Sequence, residues 1–424
     1  RYHLGIDGIS LWLVLLTTLL MPLCVLASWK VTDRVKSFHL VLLVLETGIL
    51  GVFLALDLLL FYVFWEGMLI PMYLLIGIWG YQRRVYAAVK FFLYTLTGSL
   101  LMLVGIVSLY FLGPHTFDLT KLAQVHFAHS AQLWLFAAFF ASFAIKIPIF
   151  PFHTWLPDAH TEAPTAGSVL LAGVLLKMGA YGFLRFSFPL FPEAVARFAP
   201  VMVVLGVIGI VYGGLVSIVQ RDIKRLVAYS SVSHLGFVVL GIGVLNQIAT
   251  SGSVLQMINH GLTTGALFLL IGMLYQRAHT RQISELGGVN RLMPVFGGLF
   301  LITSLASLGL PGLNGFVGEF LILNGSFTYS RPIAVIATSG VVLAAIYLLW
   351  AYERVFTGPA NLPHQERKSI WSDVSLREVL VVAPLVVMSF VIGIFPRPFL
   401  ERIEPSVARL IDNVHQPTLR LAGK

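Results

Sequence analysis

Phe143-Ala144-Ile145-Lys146-Ile147-Pro148-Ile149-Phe150-Pro151 is an apolar run broken by two prolines with a lysine at the break. Leu308-Gly309-Leu310-Pro311-Gly312-Leu313-Asn314-Gly315-Phe316-Val317-Gly318-Glu319 repeats the arrangement with glycines, a proline and an acid. Proline and glycine interrupt the backbone ladder of a helix. In hydrocarbon such an interruption persists only where protein or a polar cavity satisfies the freed groups. Two interrupted segments at matching places in the two halves of one chain point to a pathway for a small cation.

The surrounding composition agrees. Of 424 residues, 58% are apolar and 11% charged, and the mean hydropathy is +0.88. Those values describe an all-α polytopic membrane protein. About twelve stretches are long enough to cross a bilayer, near 9–28, 38–56, 58–80, 85–112, 131–150, 166–188, 199–220, 223–245, 252–276, 292–328, 332–352 and 376–396. Their length and continuous apolar character predict helices and not a barrel. The single cysteine, Cys24, allows neither an internal disulfide nor a four-thiolate iron–sulfur cluster within the chain. The start at Arg1, with a helix almost at once, leads us to expect a preceding N-terminal piece.

A net charge of +9 would suggest an acidic partner, but the basic residues cluster in alternate loops. These are Lys30, Arg34 and Lys36; Arg83 and Arg84; Arg221, Lys224 and Arg225; Arg277, Arg281 and Arg291; and Arg354, Arg367 and Lys368. The positive-inside rule places those loops, including 355–375, on the cytoplasmic side or its equivalent, and both chain ends opposite. No polar stretch is long enough for a soluble domain. We expect a first transmembrane helix and inner loop over 1–37 and a five-helix repeat over 38–188. A second five-helix repeat over 199–352 and an inner loop, last transmembrane helix and tail over 353–424 complete the chain. Each repeat places its broken segment fourth. An odd helix count inverts the second repeat relative to the first.

A charge at the centre of a membrane helix costs about 2.5–3.5 kcal/mol on insertion scales, so each one needs a reason to persist. Glu66, Lys146, Lys177, His234, His260 and Glu319 all lie in apolar surroundings, as do Lys90 and, less clearly, Glu46. Burial disfavours the charged form of either sign, which is the condition a proton relay needs. Imidazoles titrate near neutrality even unperturbed and suit the links between stronger sites. A single Glu–Lys pair can equally be a static brace between helices, and a lone histidine can be a satisfied core residue. The series of acid, base, base, imidazole, imidazole and acid over successive spans favours a pathway. His153, Asp158, His160 and Glu162 could in principle hold a metal. Prolines in that loop argue against one shared helical face, so helix capping or linkage of neighbouring charges is the expected role, with no metal. No P-loop or dinucleotide fingerprint is present, no nucleic-acid partner is implied, and the aromatic residues read as lipid-facing packing and not as a quinone pocket.

With these residues in hand, the chain resembles the antiporter-like subunits of respiratory complex I over about residues 2–400. The motifs are Leu4-Gly5-Ile6-Asp7-Gly8-Ile9-Ser10, Phe64-Trp65-Glu66-Gly67-Met68-Leu69-Ile70-Pro71-Met72, Trp155-Leu156-Pro157-Asp158-Ala159-His160, Glu162-Ala163-Pro164-Thr165-Ala166-Gly167-Ser168, Asp222-Ile223-Lys224-Arg225-Leu226-Val227-Ala228-Tyr229-Ser230 and Gly315-Phe316-Val317-Gly318-Glu319-Phe320. The resemblance implies a fourteen-helix fold of which this chain would lack the first two. It also implies proton translocation coupled to electron transfer from NADH to quinone. Glu66 would couple to Lys146, Lys177 with His234 and His260 would form a hydrated axis, and Glu319 would be the terminal acid. Flavin mononucleotide, iron–sulfur clusters and quinone would sit in partner subunits, with sister antiporter-like subunits on both sides and lipid around. A bacterial inner membrane is expected ahead of a mitochondrial one. Sister subunits and multisubunit cation/proton antiporters carry a lysine where this chain has Glu319, so that residue selects one branch. The alternatives are an antiporter subunit, a subunit of a related membrane-bound hydrogenase or photosynthetic complex, and a structural spacer whose charges are braces.

Overall fold

The computed structural model describes residues 2–360, 362–363 and 371–422, with side chains to 415. Arg367 and Lys368 of the expected inner loop lie outside the described residues.

The apolar stretches form helices as their lengths require. They are α1 (Ser10–Ala27), α2 (Val35–Leu54), α3 (Leu58–Gly67), α4 (Leu69–Trp79), α5 (Arg84–Leu112), α6 (His129–Lys146) and α7 (Trp155–Glu162). There follow α8 (Thr165–Leu190), α9 (Pro192–Ile218), α10 (Ile223–Gly243), α11 (Gln247–Ala278), α12 (Pro294–Ser307) and α13 (Asn314–Tyr329). The last three are α14 (Arg331–Phe356), α15 (Leu376–Ile394) and α16 (Arg397–Ala422). Among the described residues ten spans are long and apolar enough to cross a membrane, with α3 and α4 counted as one. The two remaining expected stretches are the broken ones, at α6–α7 and α12–α13.

Burial separates an inner set from an outer one. The whole apolar window of α8 and of α11 is buried, and 94% of that of α10, against 33–44% in the other spans. Buried serine, threonine, asparagine, glutamine and histidine accumulate in α10 and α11, and α8 adds Lys177, so the centre of the bundle is a polar column inside an apolar shell. Acidic and amide caps fix where helices begin. Asp57 accepts from the backbone N–H of Leu59 and Leu60, Asp222 from Lys224 and Arg225, and Asn246 from Ala249. Ser375 and Glu378 form a reciprocal capping box on α15.

The basic loops meet on one face. Arg281 pairs with Asp222 at 3.1 Å, Arg225 lies 3.8 Å from Asp158, and the Arg83 N–H donates to Glu162 at 2.7 Å. Arg277 forms a two-pronged pair with Glu378 at 2.8 and 2.9 Å, and Asp373 accepts from the first N–H groups of α12. Contacts thus join the loops at 83–84, 221–225 and 277–288 to one another and to Thr357, Ser372 and Asp373 on one face.

Two readings need correction. The tail after residue 396 is α16, a surface helix whose Phe399, Ile403, Val407 and Ile411 are buried at a four-residue spacing. It lies on the face opposite the basic loops, where Trp12 packs on Phe399, the Gly8 N–H donates to Ser406, and His415 bonds the Leu245 carbonyl. The 151–165 segment is also more helical than its prolines suggested. Pro157 stands in the first turn of α7, where a missing N–H costs nothing, so 155–162 form a helix.

Candidate functional site

The first break follows Lys146, the last residue of α6. Its freed carbonyls find partners nearby. The Ile149 N–H donates to the Ala144 carbonyl at 2.7 Å, and the Trp155 indole N–H to that of Ile145 at 2.9 Å. Lys146 is buried, at 1% exposure. Its ammonium sits 5.3 Å from the Trp65 ring centre and 5.7 Å from that of Phe91, and makes no hydrogen bond among the described residues. The carboxylate acting on it belongs to Glu66, which also faces Ser99. Glu66 is placed by the end of α3, where the chain steps at Met68 into α4.

The second break joins α12 to α13. Gly309 and Gly312 have φ of 84° and 92°, a region only glycine enters without strain. Asn259 on α11 and Asn314 at the start of α13 clamp the break by bonding each other's carbonyls at 2.7 and 3.3 Å. Glu319 follows one turn into α13. Its Oε1 accepts from His234 Nδ1 at 2.9 Å and from the Gln256 amide at 2.9 Å.

A buried chain of titratable groups leads from the middle of the bundle to that acid. Lys177 is fully buried on α8, between two π-helical turns at Leu171–Leu175 and Phe183–Ser187. Such turns displace one residue from the regular ladder and recur at functional positions. Its ammonium donates to the Ala172 carbonyl and lies 2.6 Å from His260 Nδ1. The His260 ring is 5.8 Å from that of His234, whose Nε2 faces the Tyr347 hydroxyl at 3.2 Å and the Ser307 hydroxyl at 3.4 Å. The contacts therefore unite Lys177, His260, His234 and Glu319 in one line, with Glu66 and Lys146 as a second group. Four neutral partners, Gln256, Tyr347, Ser307 and Asn259, were not foreseen.

The 151–165 cluster disperses. His153 reaches the Tyr212 hydroxyl at 3.2 Å, Asp158 pairs with Lys90 at 2.7 Å, and Glu162 takes the Arg83 N–H. His160 stacks on Phe268 with ring centres 4.8 Å apart, and neither ring nitrogen bonds to a described residue. No group of three metal-ligating side chains occurs among the described residues. Lys90 thus joins Asp158 as an ion pair, while Glu46 stays partly exposed on α2.

Comparison with known proteins bears on this arrangement. The family model described as NADH:quinone oxidoreductase/Mrp antiporter, TM matches residues 55–346, and that of NADH-ubiquinone oxidoreductase chain 4, amino terminus, matches residues 1–55. The chain belongs to this family. NADH-quinone oxidoreductase subunit M of Rhodobacter capsulatus is 49% identical over 98% of this chain and 83% of its own length. A chain of respiratory complex I from Thermus thermophilus superposes with a TM-score of 0.90 at 34% identity, covering 97% of this chain and 86% of that one. A chain of the Mrp complex from Dietzia shares the fold, with a TM-score of 0.84 over 96% of this chain and 86% of that one, at 21% identity. Within the family, then, the chain stands with the oxidoreductase subunits M and chain 4, as Glu319 indicated.

Proposed function

We propose that the chain carries protons across the membrane as a subunit of NADH:quinone oxidoreductase, through Glu66, Lys146, Lys177, His260, His234 and Glu319. The observation that carries the reading is the contiguous buried contact series from Lys177 to Glu319. Each member binds a proton reversibly, and neighbouring members are within hydrogen-bond reach or one bridging molecule apart. Lys146 Nζ, both His160 nitrogens, His260 Nε2, Gln256 Oε1 and Asn259 Oδ1 are buried polar atoms without a bond to described residues. Buried polar atoms are satisfied by water when protein does not serve them, so the column holds water that completes the gaps. At the first break an anionic Glu66 stabilises the Lys146 ammonium, and loss of that anion releases its proton toward the column.

The redox step belongs to partner subunits, which hold the flavin, the iron–sulfur clusters and the quinone site. Sister antiporter-like subunits flank the chain in the plane of a bacterial inner membrane. The two halves, 38–188 and 199–352, work as inverted five-helix units around the central column, with 1–37 and 353–424 at their edges. The test is proton pumping together with NADH:quinone activity in membrane vesicles carrying Lys146→Ala, with assembly checked on a native gel. Both activities fall roughly a hundredfold in an intact complex if the lysine relays protons. Survival of both would make the charge series scaffolding.

A further inference from the structure

A cleft on the basic face opens toward the lipid-facing surface. It has a volume of about 310 Å³ and opens between the ends of α9 and α14 and the turn Ile283–Glu285. Arg221 and Arg354 stand on its walls with Trp350 and Val219. Both arginines are exposed, and neither makes an ion pair among the described residues. The Arg354 guanidinium lies 4.8 Å from the Trp350 ring centre, which orients its fork without neutralising it. Of the acids nearby, Glu285 is engaged by the Thr280 hydroxyl, and Glu353 is exposed on α14. Beneath the cleft, toward the membrane centre, Leu215 on α9 and Val342 and Ile346 on α14 are 46–59% exposed.

We propose that this cleft binds the phosphate-bearing headgroup of an anionic phospholipid, with the acyl chains along the apolar α9–α14 surface. The inference rests on the membrane orientation of the basic loops and not on the proton relay. Two guanidiniums without an ion-pair partner among the described residues present planar forks that match phosphate oxygens two at a time. A tryptophan beside them occupies the interfacial level such rings prefer. The apolar stripe distinguishes the site from one for a soluble anion, which would have no use for it. The cleft is too small to admit a helix of another protein, whose diameter with side chains is about 10–12 Å. Basic pockets between helices on the cytoplasmic side are where acidic headgroups settle.

The experiment uses the intact complex in vesicles containing phosphatidylglycerol with a photoreactive group near the headgroup, and maps the labelled peptides. Labelling of segments 215–221 and 342–354 is expected in the parent complex. It should fall roughly thirtyfold in Arg221→Gln/Arg354→Gln, about fivefold per arginine, and return in part with Arg221→Lys/Arg354→Lys. A phosphatidylcholine analogue should label these segments weakly and equally in both complexes. Loss of the label in millimolar inorganic phosphate would overturn the proposal in favour of a soluble anion. No label in the parent complex, with cross-links from this cleft to a neighbouring subunit instead, would overturn it in favour of a protein contact.

Discussion

The two broken helices handle opposite charges by opposite means. Lys146 ends the half-helix before its break, where the C-terminal end of the dipole favours a cation by about 0.3–1 kcal/mol. It has no hydrogen-bond partner among the described residues, only two aromatic faces and the field of Glu66. Glu319 sits a turn inside the half-helix after its break, where the dipole helps less, and instead accepts two hydrogen bonds. Bonds to a charged group contribute about 1.5–3 kcal/mol each. The lysine is therefore held loosely and the carboxylate tightly. A loosely held ammonium is suited to gaining and losing a proton within the cycle, whereas a tightly held carboxylate is suited to ending a path whose last imidazole it orients.

Lys146→Arg tests the loose end most severely. Arginine keeps the charge, so a static brace with Glu66 survives, but it cannot be deprotonated. We expect pumping and NADH:quinone activity to fall together by roughly a hundredfold in a normally assembled complex. Full electron transfer with lost pumping would contradict tight coupling. Wild-type values for both would return Lys146 to the class of braces. At the tight end, Glu319→Lys should lose as much as Glu319→Ala, on the order of tenfold in turnover. His234 Nδ1–H and the Gln256 amide both need an acceptor there, and an ammonium has none. Clear rescue by lysine in the same vesicle assay would show that any titratable group suffices and that the hydrogen bonds are incidental.

The same contrast explains what could be read from the sequence. Charges inside apolar runs are rare enough to stand out singly, so all six relay candidates and both breaks were legible. Gln256, Asn259, Ser307 and Tyr347 were not, because uncharged polar residues are ordinary in membrane helices and only their neighbours reveal a role. The π-helical turns around Lys177 leave no pattern in composition. His160 was expected to cap a helix or link neighbouring charges, since the local sequence does not show that Phe268, more than a hundred residues later, covers its ring. Helix α16 was missed for a different reason. A search for apolar segments passes over an amphipathic one, although the spacing of Phe399, Ile403, Val407 and Ile411 was there to be found.

Two smaller changes sharpen the comparison at single contacts. Tyr347→Phe removes the hydroxyl at His234 Nε2 and leaves the ring packed. The loss of one neutral hydrogen bond, about 0.5–1.5 kcal/mol, should slow coupled turnover about two- to tenfold. No change would mean that Glu319 and Ser307 together position the imidazole without the Tyr347 hydroxyl.

Asp158→Asn should do least, and the reason separates Lys90 from the relay. The Lys90–Asp158 pair joins α5 to α7 at 2.7 Å, but its side chains are 21% and 17% exposed, and Arg225 stands 3.8 Å away on the same carboxylate. A pair so placed contributes at most about 1 kcal/mol, because water screens it and the charges stay solvated when it breaks. The variant should melt slightly earlier in the assembled complex while pumping per complex stays at the parent level. If pumping instead fell as far as in Lys146→Arg, Lys90 would have to be moved from the bracing charges of the basic face into the proton path.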